Sequence, residues 1–192
     1  MKKFYNVLLI ILVISAITTS LLIFIKYKKN YDNEKEVSNF IKEMETEDNK
    51  EDSKIKTFKG FETIGIIEIP KIGIKYPIIN ETNDATMKIS ITKFWGPNVN
   101  EIGNITLAGH NNRDGTMFGK TKNLIIGDII KMKDLNNNTI NYKIFDIYSI
   151  SPNDVSCVES TKENTREVTL ITCTNGHKNR LIIKAQEQKN EE

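Results

Sequence analysis

The sequence predicts an all-β domain, a small closed barrel or sandwich, carried behind an N-terminal membrane-spanning helix. Short β-branched segments recur from residue 60 onward, and Gly, Asn or Pro turns bound several of them. Ahead of them, "FYNVLLIILVISAITTSLLIFI", residues 4–25, carries no charge. At 192 residues the chain has room for one domain of ordinary size and an appendage. No internal repeat is evident, and nothing matches a phosphate-binding glycine loop or a dinucleotide fingerprint.

A helix needs about 20 apolar residues to cross a bilayer, and residues 4–25 supply them. A cleaved signal peptide has a shorter apolar core followed by small residues, whereas Lys26, Tyr27 and Lys28 follow here. The stretch therefore reads as a single-pass anchor. Lysines flank both ends, so the positive-inside rule does not choose the orientation. The expectation is N-in, C-out, with the folded domain extracytoplasmic, because a short N-terminal anchor usually exports the domain attached behind it.

Net charge is +2, but it is unevenly placed. Residues 1–29, the anchor and its flanks, hold five Lys and no acid; residues 30–59 hold six Lys against nine Asp and Glu. Residues 60–192 balance at sixteen each, which leaves no basic footprint for nucleic acid. Within 30–59, Val37, Phe40, Ile41 and Met44 fall at helical spacing, and "TEDNKEDSK" reads as a solvated tether. This segment is expected to be polar and partly helical, the β-domain to span 60–188, and 189–192 to be a tail.

Strands are predicted in "TIGIIEIP", "KIGIKYPII", "NITLAG" (104–109), "DIIKMK" (128–133), "TINYKIFDIYSI" (139–150), "VTLITCT" (168–174) and "RLIIKAQ" (180–186). The apolar parity of 139–150 switches between Ile144 and Phe145, which marks a bulge or a strand buried on both faces. Residues 82–93 and 116–126 are expected to form helical turns.

His110 ends one strand, Cys173 ends another, and Arg180 opens the next after a tight Asn175-Gly176 turn. Strand ends that open into loops expose reactive groups on a rigid frame. Each residue alone has a plainer reading: a packed cysteine, a satisfied histidine, an arginine on the wet face. Two cysteines in an oxidising compartment could also pair as Cys157–Cys173. Two His and two Cys without tight spacing make no metal site, so neither metal nor cofactor is expected.

"TLITC" followed by an arginine at the head of the next strand, with "LAGHN" upstream and an N-terminal anchor, resembles the sortases, membrane-anchored cysteine transpeptidases of Gram-positive surfaces. The resemblance covers roughly residues 62–186. It implies an eight-stranded barrel with Cys173 as nucleophile, His110 as catalytic histidine and Arg180 as catalytic arginine. It also marks Thr172 and Asn111 as residues that hold substrate. A Leu-Pro-x-Thr-Gly-like sorting signal on a surface protein would be cut after Thr and passed to an amine of the cell-wall precursor.

The chemistry suits these side chains. A thiol of ordinary pKa, about 8.5, is only a few per cent thiolate at neutral pH, and a neighbouring imidazolium and guanidinium raise that fraction. Arginine does not deprotonate in proteins, so Arg180 is suited to stabilising an oxyanion and not to acting as a base. His177, on the turn after Cys173, is the competing base. Residues 30–60 contain no proline, so the Asp-Pro-aromatic lid of pilin-assembling relatives is absent, which favours wall anchoring. Glu101, Asp154 and Glu159 are too generic to claim a calcium site. Two alternatives stand: a non-catalytic anchored β-domain with a Cys157–Cys173 disulfide, and a hydrolytic cysteine peptidase.

Overall fold

A computed structural model describes residues 2–46 and 56–188. The proposed tether, apart from Thr46, and the 189–192 tail lie outside the described residues. The chain divides into two compact units, one ending at Glu36 and one beginning at Val37.

The first unit is the leading part of a helix, α1 (Lys2–Thr46). Its most apolar window has a mean hydropathy of 2.9 and none of it is buried, as expected of a helix whose surroundings are lipid. Residues 4–25 rise about 33 Å as a helix, enough for a hydrocarbon core of about 30 Å.

The second unit holds the last turns of α1 and the strands β1 (Thr57–Phe58), β2 (Phe61–Ile69), β3 (Ile74–Ile79), β4 (Ile91–Trp95), β5 (Gly103–Ala108), β6 (Ile129–Asp134), β7 (Thr139–Ile150), β8 (Arg166–Thr174) and β9 (Asn179–Glu187). Their order in the sheet is β1-β2-β3-β4-β5-β8-β9-β7-β6, and β2 also pairs with β6. Eight strands therefore close into a barrel, and of the described strands only the two-residue β1 lies outside the ring. Closure satisfies the edge groups that an open sheet would expose.

The interior is filled by inward-facing side chains such as Ile67, Ile78, Ile91, Leu107, Met132, Ile144, Val168 and Ile183, all within 1% of complete burial. Isoleucine recurs because a β-branched side chain packs well on a pleated surface. β2 is buried without alternation from Thr63 to Ile67, so both of its faces are covered. The amphipathic stripe of α1 joins the same core through Val37, Ile41 and Met44. Phe40 meets the Phe58 ring at 5.0 Å, and Glu45 pairs with Lys75 on β3.

One sequence expectation needs correction. The stretch 82–93 is helical only at Thr86–Lys88; from Ile91 it is β4, because a short parallel pairing with β3 holds Ile91 and Thr92 in the sheet. In 116–126 the helical part is a single turn, Thr121–Asn123. The parity switch in β7 is a bulge: its register against β9 shifts between Ile144 and Asp146.

The packed end of α1 generates a stability prediction. In a fragment starting at Lys26, Ile41→Ala should cost about 2–4 kcal/mol, the range for emptying a buried isoleucine site. Chemical denaturation reads this directly, and an unchanged midpoint would show that the segment is not part of the core.

Candidate active site

β5 and β8 run parallel as neighbours, so their C-terminal ends open on the same rim of the barrel. Ala108 lies opposite Ile171. His110 and Cys173 each follow two residues later and so reach the same level on the same face of the sheet. The paired Leu107 and Leu170 turn inward and are buried, which leaves the parity of Ala108, Ile171 and Cys173 to the groove face. On the other side of β8, Cys173 stands directly opposite Arg180 on β9. Two neighbouring strands and the segment just past the end of a third thus bring thiol, guanidinium and imidazole into one groove.

Hydrogen bonds lace these strand ends together. Gly109 N–H donates to Ile171 O at 3.2 Å, and Thr172 Oγ1 donates to Gly109 O at 2.8 Å. Asn111 Nδ2 donates to Cys173 O at 2.7 Å. Gly109 is required there, since a Cβ would sit 2.7 Å from the Phe118 ring. Thr172 and Asn111 therefore spend these donors on the protein's own backbone, where they hold the histidine and cysteine segments in register.

The turn between β8 and β9 places Asn175, Gly176 and His177 in succession in the left-handed region, which suits Asn and Gly. His177 is exposed on this turn, and its carbonyl accepts from Arg180 Nη1 at 3.3 Å. Cys173, His110 and Arg180 are all partly buried and line a groove of about 290 Å³, which His177 does not line. Apolar groups dominate the remaining lining, among them Met87, Phe94, Ile150, Pro152, Val155 and Ile171.

One wall of the groove is the β7–β8 connection, fastened from beneath by buried polar groups. Asn104 Nδ2 donates to Cys157 O and Val158 O at 3.2 and 3.0 Å, and Thr169 Oγ1 donates to Asn104 Oδ1 at 2.9 Å. Glu167 is 1% exposed and accepts from Thr161 N and Lys162 N at 2.8 and 3.1 Å. Lys184 Nζ, also buried, donates to Glu159 O at 2.8 Å. Sequence patterning did not single out these four residues. A glutamate and a lysine inside otherwise apolar strands were the available signal.

Cys157 lines the same groove yet is 2% exposed, and burial pushes its thiol pKa up; the nearby Lys184 opposes this. Both cysteines are free, so the Cys157–Cys173 disulfide is absent. Asp154 accepts hydrogen bonds from the Ser156 side chain and N–H, which hold its carboxyl below the usual range. Glu101 accepts from Asn98 N–H at 2.9 Å. Among the described residues, no group of three or more His, Cys, Asp and Glu gathers that could hold a metal ion.

A closed barrel with a thiol, an imidazole and a guanidinium on one rim is the architecture of a family of cysteine enzymes. The family model for the sortase domain matches residues 67–188, well over half of the sequence, and the chain belongs to the sortase family. It is 28% identical over 185 residues to sortase A of Staphylococcus aureus, covering 90% of this chain and 89% of that one. Sortase A of Listeria monocytogenes is 32% identical over 111 residues, 57% of this chain; the match spans about half of that relative, 49%. Among solved structures, a Clostridium perfringens sortase D5 transpeptidase superposes with a TM-score of 0.64 at 29% identity, covering 82% of this chain and 98% of that one. Sortase C1 of Streptococcus agalactiae gives 0.62 at 26%, covering 72% and 74% respectively.

Thiol accessibility tests this arrangement. Denatured without reductant, the chain should titrate with two free thiols. Folded at neutral pH, Cys157 should react with iodoacetamide far more slowly than it does in the denatured chain, because it is buried and protonated. Mass mapping of the alkylated peptides gives both rates; a single modified site in the unreduced denatured protein would indicate an oxidised pair.

Proposed function

We propose that the protein is a membrane-anchored, extracytoplasmic cysteine transpeptidase. It cuts a Leu-Pro-x-Thr-Gly-like sorting signal after Thr and joins the shortened protein to an amine of the cell-wall precursor. The observation that carries this reading is the placement of Cys173 opposite Arg180 and level with His110, inside one groove.

Cys173 Sγ, as the thiolate, attacks the carbonyl carbon of the signal's Thr; the C–S bond forms and the carbonyl electron pair moves to oxygen. Arg180 donates to that oxyanion, a role suited to a cation that does not titrate. When the oxyanion collapses, the C–N bond breaks and protonated His110 gives its proton to the leaving amine. A thioester remains on Cys173. The incoming amine attacks it, passes a proton to His110, and expels the thiolate as the new amide forms. The apolar lining of the groove accepts the Leu-Pro part of the signal, and Thr172 and Asn111 act by keeping the reacting strand ends aligned.

The test uses the full chain in detergent micelles with a library of Leu-Pro-x-Thr-Gly-like peptides, with and without an added amine. Mass spectrometry should find an acyl adduct on Cys173 and, with amine present, ligated product. Cys173→Ala and His110→Ala should each lower turnover by at least about 10³-fold, and Arg180→Ala by about 10²–10³-fold, the scale for losing an oxyanion donor. Cys157→Ala should retain activity. A library that leaves Cys173 unmodified, or an active Cys173→Ala, would overturn the assignment; cleavage without ligation would indicate a hydrolase.

A further inference from the structure

Trp95 is the sole tryptophan of the chain and is 62% exposed. One such residue on a surface needs no explanation, but this one pairs with Thr106, which shares a sheet face with Ala108 of the groove lining two residues on. The preceding residue, Phe94, lines the groove and is itself 45% exposed. The register of β4 against β5 shifts between Lys93 and Trp95, so Phe94 is the extra residue of a bulge. Bulges of this kind re-aim side chains beside functional sites. Trp95 is then pinned: its backbone pairs with Thr106, and the next residue, Gly96, lies so close to the Asn104 carbonyl that any side chain there would collide with it. The chain thus holds two adjacent aromatic side chains in half-wet positions, Phe94 lining the groove and Trp95 next to it in the chain, on the sheet face that Ala108 shares.

We propose that Phe94 and Trp95 form an aromatic shelf that lengthens the groove and binds a proline or aromatic residue of the donor peptide outside the five-residue signal. The assignment rests on the transpeptidase reading. The occupant follows from continuity with the peptide groove and from the chemistry of an exposed indole. Its flat face stacks on another ring, and such a contact is worth about a three- to ten-fold gain in affinity.

The single tryptophan makes the test direct, because selectively excited fluorescence reports on this position alone. Full-length Cys173→Ala protein in micelles is titrated with a core pentapeptide and with the same peptide extended on either side by proline or phenylalanine. The extended peptide should shift Trp95 emission to the blue, whereas the core peptide should not. In the wild-type background, kcat/KM for the extended peptide should exceed that for the core about three- to ten-fold. Trp95→Ala should bring that ratio to about one. Equal spectra with both peptides, or a ratio that survives Trp95→Ala, overturns the shelf. A response confined to N-acetylglucosamine oligomers overturns it in favour of a glycan contact. Failure of every peptide to acylate Cys173 in the wild-type chain instead overturns the transpeptidase reading, and the shelf with it.

Discussion

The arrangement of the site depends on the register of three strands. β8 is held parallel to β5 on one side and antiparallel to β9 on the other, with Ala108 across from Ile171 and Cys173 across from Arg180. A slip of one residue in either pairing would turn Cys173 away from its partner and carry Leu170 out of the core. The buried pairs along β8 therefore fix the active-site geometry as a by-product of fixing the fold. Six consecutive pairs with β5 and eight with β9 leave no freedom for such a slip.

That dependence explains which features are legible in the sequence. The hairpin is legible because Asn175-Gly176 is a strong local turn signal, and a turn of known length sets which residues face each other. The strands after residue 100 are legible for the same local reasons, and so is the bulge in β7, which shows as a change of parity. His110 beside Cys173 is another matter, since a parallel pairing across 63 residues has no local signature. Only the family resemblance joins them in the sequence. β4 escapes pattern reading because its brief pairing with β3 is long-range, and its last two residues are exposed aromatics that break the apolar alternation. The anchor and the amphipathic stripe, which read as separate segments, are parts of one helix, since Pro and Gly are absent from the stretch between them.

The groove wall shows a further limit of pattern reading. Glu167 and Lys184 look like solvent-facing charges in their strands, yet both are buried and spend their polar atoms on the backbone and hydroxyl groups of the β7–β8 connection. A buried charge is costly unless it is hydrogen-bonded, so these two are committed to holding that loop. Together with Asn104 they tie a loop of irregular backbone to the barrel at several points, and that loop forms a wall of the groove.

The strand order also governs when this protein becomes whole. β9 is the last of the described strands, yet it lies in the interior of the sheet between β8 and β7 and supplies Arg180. A chain emerging from the ribosome or from a translocation channel can pair β2 with β3 and β5 with β8, but its barrel stays open until Asn179–Glu187 has been delivered. The thiol is thus made before the guanidinium that faces it, and the site is completed in the step that seals the fold. Until that step the thiol of Cys173 stands without the guanidinium that faces it across the hairpin.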